Sequence, residues 1–305
     1  MKLGMIGLGK MGGNMTLRLM RAGHDVVVHD LDAAAIARAV ADGATGVASI
    51  AAMVDALPTP RVVWIMVPAG AATESTIDSV AAALQSGDVI IDGGNSNYKD
   101  SQRRALALAP TGVTLVDVGT SGGVWGLKEG YSIMAGGTDE AIAVVRPILE
   151  ALAPATDAGW GHVGPSGAGH FVKMIHNGVE YGMMQAYAEG FALMERKAEL
   201  DLDLEQVAEI WRHGSVVRSW LLDLTAAALK ENPDLDGIAP WVPDSGEGRW
   251  TVMEAIDLAV SIPVITLALQ QRFRSRDESP FADKLLAAMR NQFGGHAIKR
   301  AADQA

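Results

Sequence analysis

The chain has 305 residues, 49% of them hydrophobic and 20% charged, a globular composition long enough for one large or two ordinary domains. A formal net charge of −11 argues against nucleic acid or an anionic membrane as the main partner. Cysteine is absent, which excludes disulfides, a thiol nucleophile and a thiolate-bound zinc.

A strand-like run, Leu3–Ile6, opens the chain without the charged region and apolar core of a signal peptide, so no targeting segment and a cytoplasmic location are expected. Short β-branched runs follow at Val26–His29, Val62–Val67, Val89–Asp92, Thr114–Val118 and Tyr131–Met134. Between them lie Ala- and Leu-rich, helix-prone stretches at Asn14–Ala22, Ala33–Asp42, Ala72–Leu84 and Lys99–Leu108. Such alternation predicts parallel βαβ units in a doubly wound sheet. The glycine-rich segment Gly159–Gly169 reads as a domain junction. Helical patterns follow over 170–199, 203–213, 215–230, 249–271 and 279–292. The most apolar run, Leu258–Leu269, is about 12 residues long and contains Pro263, short of the ~20 that a membrane span needs. The expected architecture is an α/β, Rossmann-like doubly wound sheet over residues 1–163, followed by an all-α helical domain over 164–305.

Gly7-Leu8-Gly9-Lys-Met11-Gly12 follows the first strand and opens the first helix. Glycines there permit a tight turn and let the backbone approach a pyrophosphate, which the helix N-terminus stabilises. Asp30 ends the second strand, 18 residues past Gly12, where a carboxylate accepts hydrogen bonds from a ribose 2′-hydroxyl and repels a 2′-phosphate. The next residue is Leu31 rather than the Arg that suits NADP, so NAD is the expected cofactor, preferred over NADP. Asp32 reads as the cap of the next helix.

Two further loops should face the cofactor, because ligands of open α/β sheets bind beyond the carboxyl ends of the strands. One is Met66-Val67-Pro68-Ala-Gly70; the other is Asp92-Gly-Gly-Asn95-Ser96. Asn95 suits the nicotinamide region or a substrate hydroxyl, although Asp92 and Asn95 also suit simple turn caps. After the next strand, the hydroxyl and backbone N–H groups of Ser121, Gly122 and Gly123 can hold a carboxylate.

The most informative stretch is His170-Phe-Val-Lys173-Met-Ile-His176-Asn177-Gly-Val-Glu180-Tyr181. Lys173, His176, Asn177 and Glu180 stand at i, i+3, i+4 and i+7, one face of a helix. The flanking Phe171, Val172, Met174, Ile175, Val179, Met183 and Met184 are expected to pack against other helices. A base and an acid on one rigid element are what proton transfer asks for. A buried lysine is the more ready to give up its charge, and a glutamate in apolar surroundings holds its proton. The bland reading is a set of salt bridges or hydrogen bonds within a helix bundle.

Together these motifs resemble the decarboxylating 6-phosphogluconate dehydrogenases. The resemblance runs over nearly the whole chain and adds Gly248-Arg-Trp250-Thr and Arg290-Asn-Gln-Phe-Gly-Gly-His296. It implies that Lys173 is the general base that takes the proton of the 3-hydroxyl while hydride leaves for the nicotinamide. The resulting 3-keto acid loses CO2, and Glu180 protonates the enediol carbon, giving ribulose 5-phosphate. It further implies that Asn95, Ser121–Gly123, His176 and Asn177 hold the hydroxyls and carboxylate. Tyr181 and Arg272 would contact the phosphate, joined by Arg290 and His296 from a neighbouring subunit. Gln-Arg272-Phe-Arg274-Ser-Arg276 offers three candidate phosphate ligands. No metal is implied, and the partners are a small phosphorylated sugar acid and further copies of the chain, as a homodimer or homotetramer.

The chain departs from the long form of that family. It is shorter, and has Ser245-Gly-Glu247 where many members carry a Lys and a Thr for the phosphate. Glu247 would repel a phosphate, so that part of the pocket must be built differently. With Asp30 and Leu31, the chain looks like a short, NAD-preferring branch. Two other functions compete: a β-hydroxyacid dehydrogenase acting on a substrate like 3-hydroxyisobutyrate without decarboxylation, and a non-catalytic nucleotide sensor.

Overall fold

The computed structural model describes residues 1–300. By packing, the chain divides into two compact units between Asn177 and Gly178. The first unit contains β1 (Lys2–Ile6), α1 (Lys10–Arg21), β2 (Asp25–His29), α2 (Ala33–Ala41), β3 (Thr45–Gly46), α3 (Ile50–Ala56), β4 (Val62–Ile65) and α4 (Ala71–Ala81). It continues with β5 (Val89–Asp92), α5 (Tyr98–Leu108), β6 (Thr114–Ser121), α6 (Gly126–Glu129), β7 (Ser132–Gly136), α7 (Asp139–Leu152), β8 (Trp160–Gly164) and the start of α8 (Ala168–Arg196).

These strands form one eight-stranded sheet in the order β3-β2-β1-β4-β5-β6-β7-β8. All neighbours are parallel except β6 and β7. The order reverses between β1 and β4, the switch point at which doubly wound sheets bind ligands. Strands such as Val62–Ile65 and Val89–Ile91 are uninterrupted apolar runs because helices cover both faces. On one face, Met15 and Leu19 of α1 and Val145, Ile148 and Leu149 of α7 pack on Leu3, Met5 and Val28. On the other, Met53, Ile77, Val80 and Leu108 pack on Val27, Val63, Ile65 and Ile90.

The second unit holds the remainder of α8, then α9 (Leu204–Arg212), α10 (Trp220–Glu231), α11 (Glu247–Asp257), α12 (Pro263–Arg274) and α13 (Phe281–Gly294). Asp203 and Ser219 cap α9 and α10 through their side chains. Two small cores form here. Phe191 packs edge-on to Trp211 beside Ala208, Leu222 and Leu229, and Tyr181 packs with Ala268, Leu269 and Phe273. No described helix is long and apolar enough to cross a membrane.

Several elements differ from the sequence reading. β3, α3, α7 and β8 were not anticipated, and Gly159–Gly169 contains the edge strand β8 rather than only a loop. The long pattern over 249–271 is two helices: Ala259 turns into the left-handed region and Pro263 starts α12. The pattern over 215–230 becomes helical only after Ser219. Val179, Met183 and Met184, expected against other helices, are 48%, 39% and 40% exposed.

Candidate functional site

The dinucleotide turn is built by close packing. Gly7 has φ +94°, and a Cβ there would lie 2.3 Å from the Met66 carbonyl oxygen. A Cβ on Gly12 would stand 1.9 Å from the Gly7 oxygen, so any side chain at either position would break the turn. A Cβ on Gly9 would meet open space. Gly9 starts α1 without a side-chain cap, and the first turn carries no acidic residue. Unopposed N–H groups at an open helix start suit a pyrophosphate. Asp30 sits beside this turn: its Oδ2 accepts from the Leu8 N–H at 2.5 Å and its Oδ1 from the Asp32 N–H at 2.7 Å. Two backbone donors orient the carboxylate and leave further lone pairs for ribose hydroxyls. Leu31 is fully exposed at 101%. Asp32 caps α2 by accepting from Ala34 N–H. The residues of this edge therefore fit an adenine dinucleotide.

The loops after β4 and β5 lie together, since a Cβ on Gly94 would be 3.1 Å from the Val67 carbonyl oxygen. Val67 is half-buried and Pro68 exposed, and the Pro68 carbonyl accepts from the Thr73 hydroxyl at 2.9 Å. Asn95 is exposed between buried Gly94 and Ser96. Asp92, with no exposed surface, accepts from the Gly94 N–H at 3.2 Å and the Ser96 hydroxyl at 2.8 Å, the turn-capping role that the bland reading gives it.

Strand β6 supports α8 directly. Asp117, buried on this strand, accepts from the Gly167 and His170 N–H groups at 2.6 and 2.8 Å, capping the start of α8 with a carboxylate. Two residues further, a Cβ on Gly119 would lie 2.3 Å from the Lys173 Cβ. Only glycine admits that approach. Beyond it, Ser121 ends the strand, and Gly122 and Gly123 both take positive φ.

Lys173 is 6% exposed. Its Nζ donates to Asn177 Oδ1 at 2.7 Å and lies 3.4 Å from His176 Nδ1, which is itself 3.1 Å from Asn177 Oδ1. The turn of α8 thus brings Lys173, His176 and Asn177 into one hydrogen-bonded group within the first unit. Glu180 follows on the same helix, in the second unit, and is half-buried.

In the second unit the Tyr181 hydroxyl accepts from the Ser245 N–H at 3.1 Å and lies 3.2 Å from Ser245 Oγ, which in turn donates to Glu247. Glu247 is 2% exposed, and its second oxygen has no partner among the described residues. The Arg272 guanidinium lies over the Tyr181 ring, 3.5 Å from its centroid, and donates to the Pro243 carbonyl. Of the other two arginines, Arg274 pairs with Asp283 and Arg276 with Asp244. Asp244 also binds Arg249, which together with Arg276 holds its carboxyl down at about 2. Arg290 on α13 and His296 beyond it are both exposed, and the His296 carbonyl accepts from the Asn291 amide. No cluster of His, Asp or Glu among the described residues could hold a metal ion.

The sequence reading missed Gly119 and a buried arginine, Arg104. The latter stands on the apolar side of α5 with Ser101 and Leu108, at positions i, i+3 and i+7, a spacing that would have exposed it.

A family model described as the NAD binding domain of 6-phosphogluconate dehydrogenase matches residues 2–161, and one for the C-terminal domain of 6-phosphogluconate dehydrogenase matches residues 169–281. An NAD(+)-dependent, decarboxylating 6-phosphogluconate dehydrogenase of Haloferax volcanii is 44% identical, the match covering 99% of this chain and 100% of that one. An NADP(+)-dependent, decarboxylating 6-phosphogluconate dehydrogenase of Bacillus subtilis is 38% identical over 94% of this chain, which spans 64% of that relative. Among solved structures, Plasmodium falciparum 6-phosphogluconate dehydrogenase, described as apo, with NADP+ and with 6-phosphogluconate, superposes with a TM-score of 0.84 at 29% identity. That match covers 98% of this chain and 66% of that one.

Proposed function

The chain belongs to the 6-phosphogluconate dehydrogenase family, and we propose that it oxidises and decarboxylates 6-phosphogluconate to ribulose 5-phosphate and CO2, preferring NAD to NADP. The observation that carries this reading is the buried Lys173, hydrogen-bonded to Asn177 and within reach of His176 on α8.

Residues 1–163 act in this reading as the NAD-binding domain and 164–305 as the substrate and oligomerisation domain. The N–H groups at the start of α1 hold the pyrophosphate, with Gly7, Leu8, Gly9, Met11 and Gly12 forming the turn. Asp30 holds the adenosine ribose, and its charge beside the Leu8 N–H disfavours a 2′-phosphate. Val67, Pro68 and Asn95 line the nicotinamide end. When bound, the nicotinamide accepts the hydride. Lys173 Nζ takes the 3-hydroxyl proton and, still carrying it, stabilises the oxygen that becomes an enolate as CO2 leaves. Glu180 delivers a proton to carbon, completing the product. Ser121, Gly122 and Gly123 hold the carboxylate, while Asn95, His176 and Asn177 hold hydroxyls.

At the phosphate end, Arg272 is favoured over Arg274 and Arg276, because those two already face Asp283 and Asp244. Tyr181 shares the site, and Glu247 stays turned to Ser245. Arg290 and His296, exposed near the end of the chain, reach the site of a neighbouring copy in a homodimer or homotetramer.

The test is a product assay with NAD and NADP in turn, scoring CO2, ribulose 5-phosphate and reduced cofactor. All three products are expected, faster with NAD. Turnover of 3-hydroxyisobutyrate with none of 6-phosphogluconate would instead identify a non-decarboxylating hydroxyacid dehydrogenase.

A further inference from the structure

Arg104 is 3% exposed, and none of the chemistry above uses it. Its Nε donates to Glu74 Oε2 at 2.8 Å, and one terminal nitrogen donates to Asp92 Oδ2 at 3.1 Å and Ser96 Oγ at 3.3 Å. Asp92 is fully buried at the end of β5 and also binds the Gly94 N–H and the Ser96 hydroxyl. Asn95 is exposed between the buried Gly94 and Ser96. Glu74 lies in the first turn of α4, directly after the Val67–Gly70 loop, and Arg103 grips its two oxygens at 2.7 and 2.8 Å. The neighbouring Thr73 hydroxyl ties that turn to the Pro68 carbonyl. One guanidinium thus joins the Asp92–Ser96 loop, which carries Asn95, to the helical turn that follows the Val67–Gly70 loop.

A buried cation with two carboxylate partners is a costly way to gain stability, since apolar groups of similar volume often do as well. It does supply direction. A guanidinium has donors in a fixed plane, so its bonds to Asp92 and Glu74 set the separation and tilt of the Asp92–Ser96 loop and the first turn of α4 at once. We propose that Arg104 is a positioning residue for the reaction, fixing Asn95 relative to the Val67–Pro68 loop so that Asn95 meets substrate and nicotinamide in a single geometry. This rests on the role given to Asn95 above. Displacement of a contacting group by ~1 Å can cost about a hundredfold in rate.

The experiment compares Arg104→Gln, Asn95→Ala and the double variant in the full-length enzyme, with 6-phosphogluconate saturating and NAD varied up to saturation. Arg104→Gln should lower kcat tenfold or more with KM for NAD within threefold. The deuterium isotope effect on hydride transfer should rise as chemistry becomes limiting. The double variant should be no slower than Asn95→Ala alone. Independent, multiplying losses would overturn the proposal, as would a loss confined to melting temperature with kcat per folded site unchanged. If Arg104→Gln does not fold, Glu74→Gln carries the same test, because Asp92 then keeps its arginine; a threefold or larger kcat loss, absent in the Asn95→Ala background, is expected. A wild-type enzyme inactive on 6-phosphogluconate would overturn the functional reading itself, and the role of Arg104 with it, before any variant is compared.

Discussion

In the sheet-bearing unit, apolar clusters fill both faces, and Leu3, Met5, Val27, Trp64 and Ile65 have no exposed surface. Among the described residues of the helical unit only small clusters around Phe191 and Tyr181 form, while Ile256, Val264, Leu267, Leu285, Leu286 and Met289 are each about half exposed or more. The first unit meets its own needs for burial. The second leaves these large apolar side chains exposed within one copy, the residue type that fills the core of oligomer interfaces. This contrast accords with the proposed division of labour, in which the sheet-bearing unit binds NAD and anchors Lys173 while the helices serve substrate and assembly.

Substitutions in the two units should therefore separate chemistry from assembly. The largest effect belongs to Lys173→Met. It should lower kcat about a thousandfold, with NAD affinity by titration calorimetry within about twofold and the sedimentation coefficient unchanged. A residual rate above a tenth of wild type would remove Lys173 as the base. Gly119→Ala puts a methyl 2.3 Å from the Lys173 Cβ, and should cost ten- to a hundredfold in kcat and about 1–3 kcal/mol in stability. Denaturant titration alongside steady-state assays measures both, and wild-type values would show that the strand and helix can part.

On the helical side, Leu285→Asp with Leu286→Asp should weaken self-association about a hundredfold by analytical ultracentrifugation. It should leave NAD binding intact, so loss of NAD binding would break the contrast. Asp30→Ala should move the ratio of kcat/KM for NADP over NAD upward about tenfold, or ~1.4 kcal/mol, without altering assembly. An unchanged ratio would take the cofactor preference away from this carboxylate.

The smallest effect concerns acid stability in the helical unit. Asp244, 4% exposed, has a carboxyl held at about 2 against 3.8, chiefly by hydrogen bonding from Arg249. A lowered native value contributes stability that is present above pH 3.8 and lost as pH falls towards 2. Asp244→Asn should cost on the order of 1–2 kcal/mol at neutral pH and flatten the acid limb of the melting curve in that window. An acid limb identical to wild type would discharge Asp244 from that role.

Much of the first unit was legible because Val-rich strands buried on both faces and capped helices carry local signals that agree with the fold. The misses have physical causes. Helix α7 begins with Thr138 as cap and two acidic residues but contains Pro147, which withholds one N–H and masks the pattern. Strand β8 is glycine-rich and lies at the sheet's edge against β7 alone, so pairing rather than propensity makes it a strand. The polar face of α8 was legible from spacing, and the structure adds the bond from Lys173 to Asn177. What spacing could not show was what lies across from it. Gly119 is one glycine of 34, and its contact with Lys173 joins residues 54 positions apart. Spacing could place Arg104 on the buried side of α5, but not show that Asp92 and Glu74 meet it there. The exposure of Val179 and Met183 shows the limit of hydrophobicity as a guide to burial within one copy.

The contact at Gly119 makes β6 a gauge. The strand meets the lysine's Cβ at Gly119 and presents Ser121 two residues later, so two steps of extended backbone set how far the root of the lysine side chain stands from Ser121. On the proposed reading, that interval helps to set the span between the oxidised carbon and the carboxylate it will shed. A substrate with one more or one fewer carbon between those groups would fall out of register with the protein's least adjustable part.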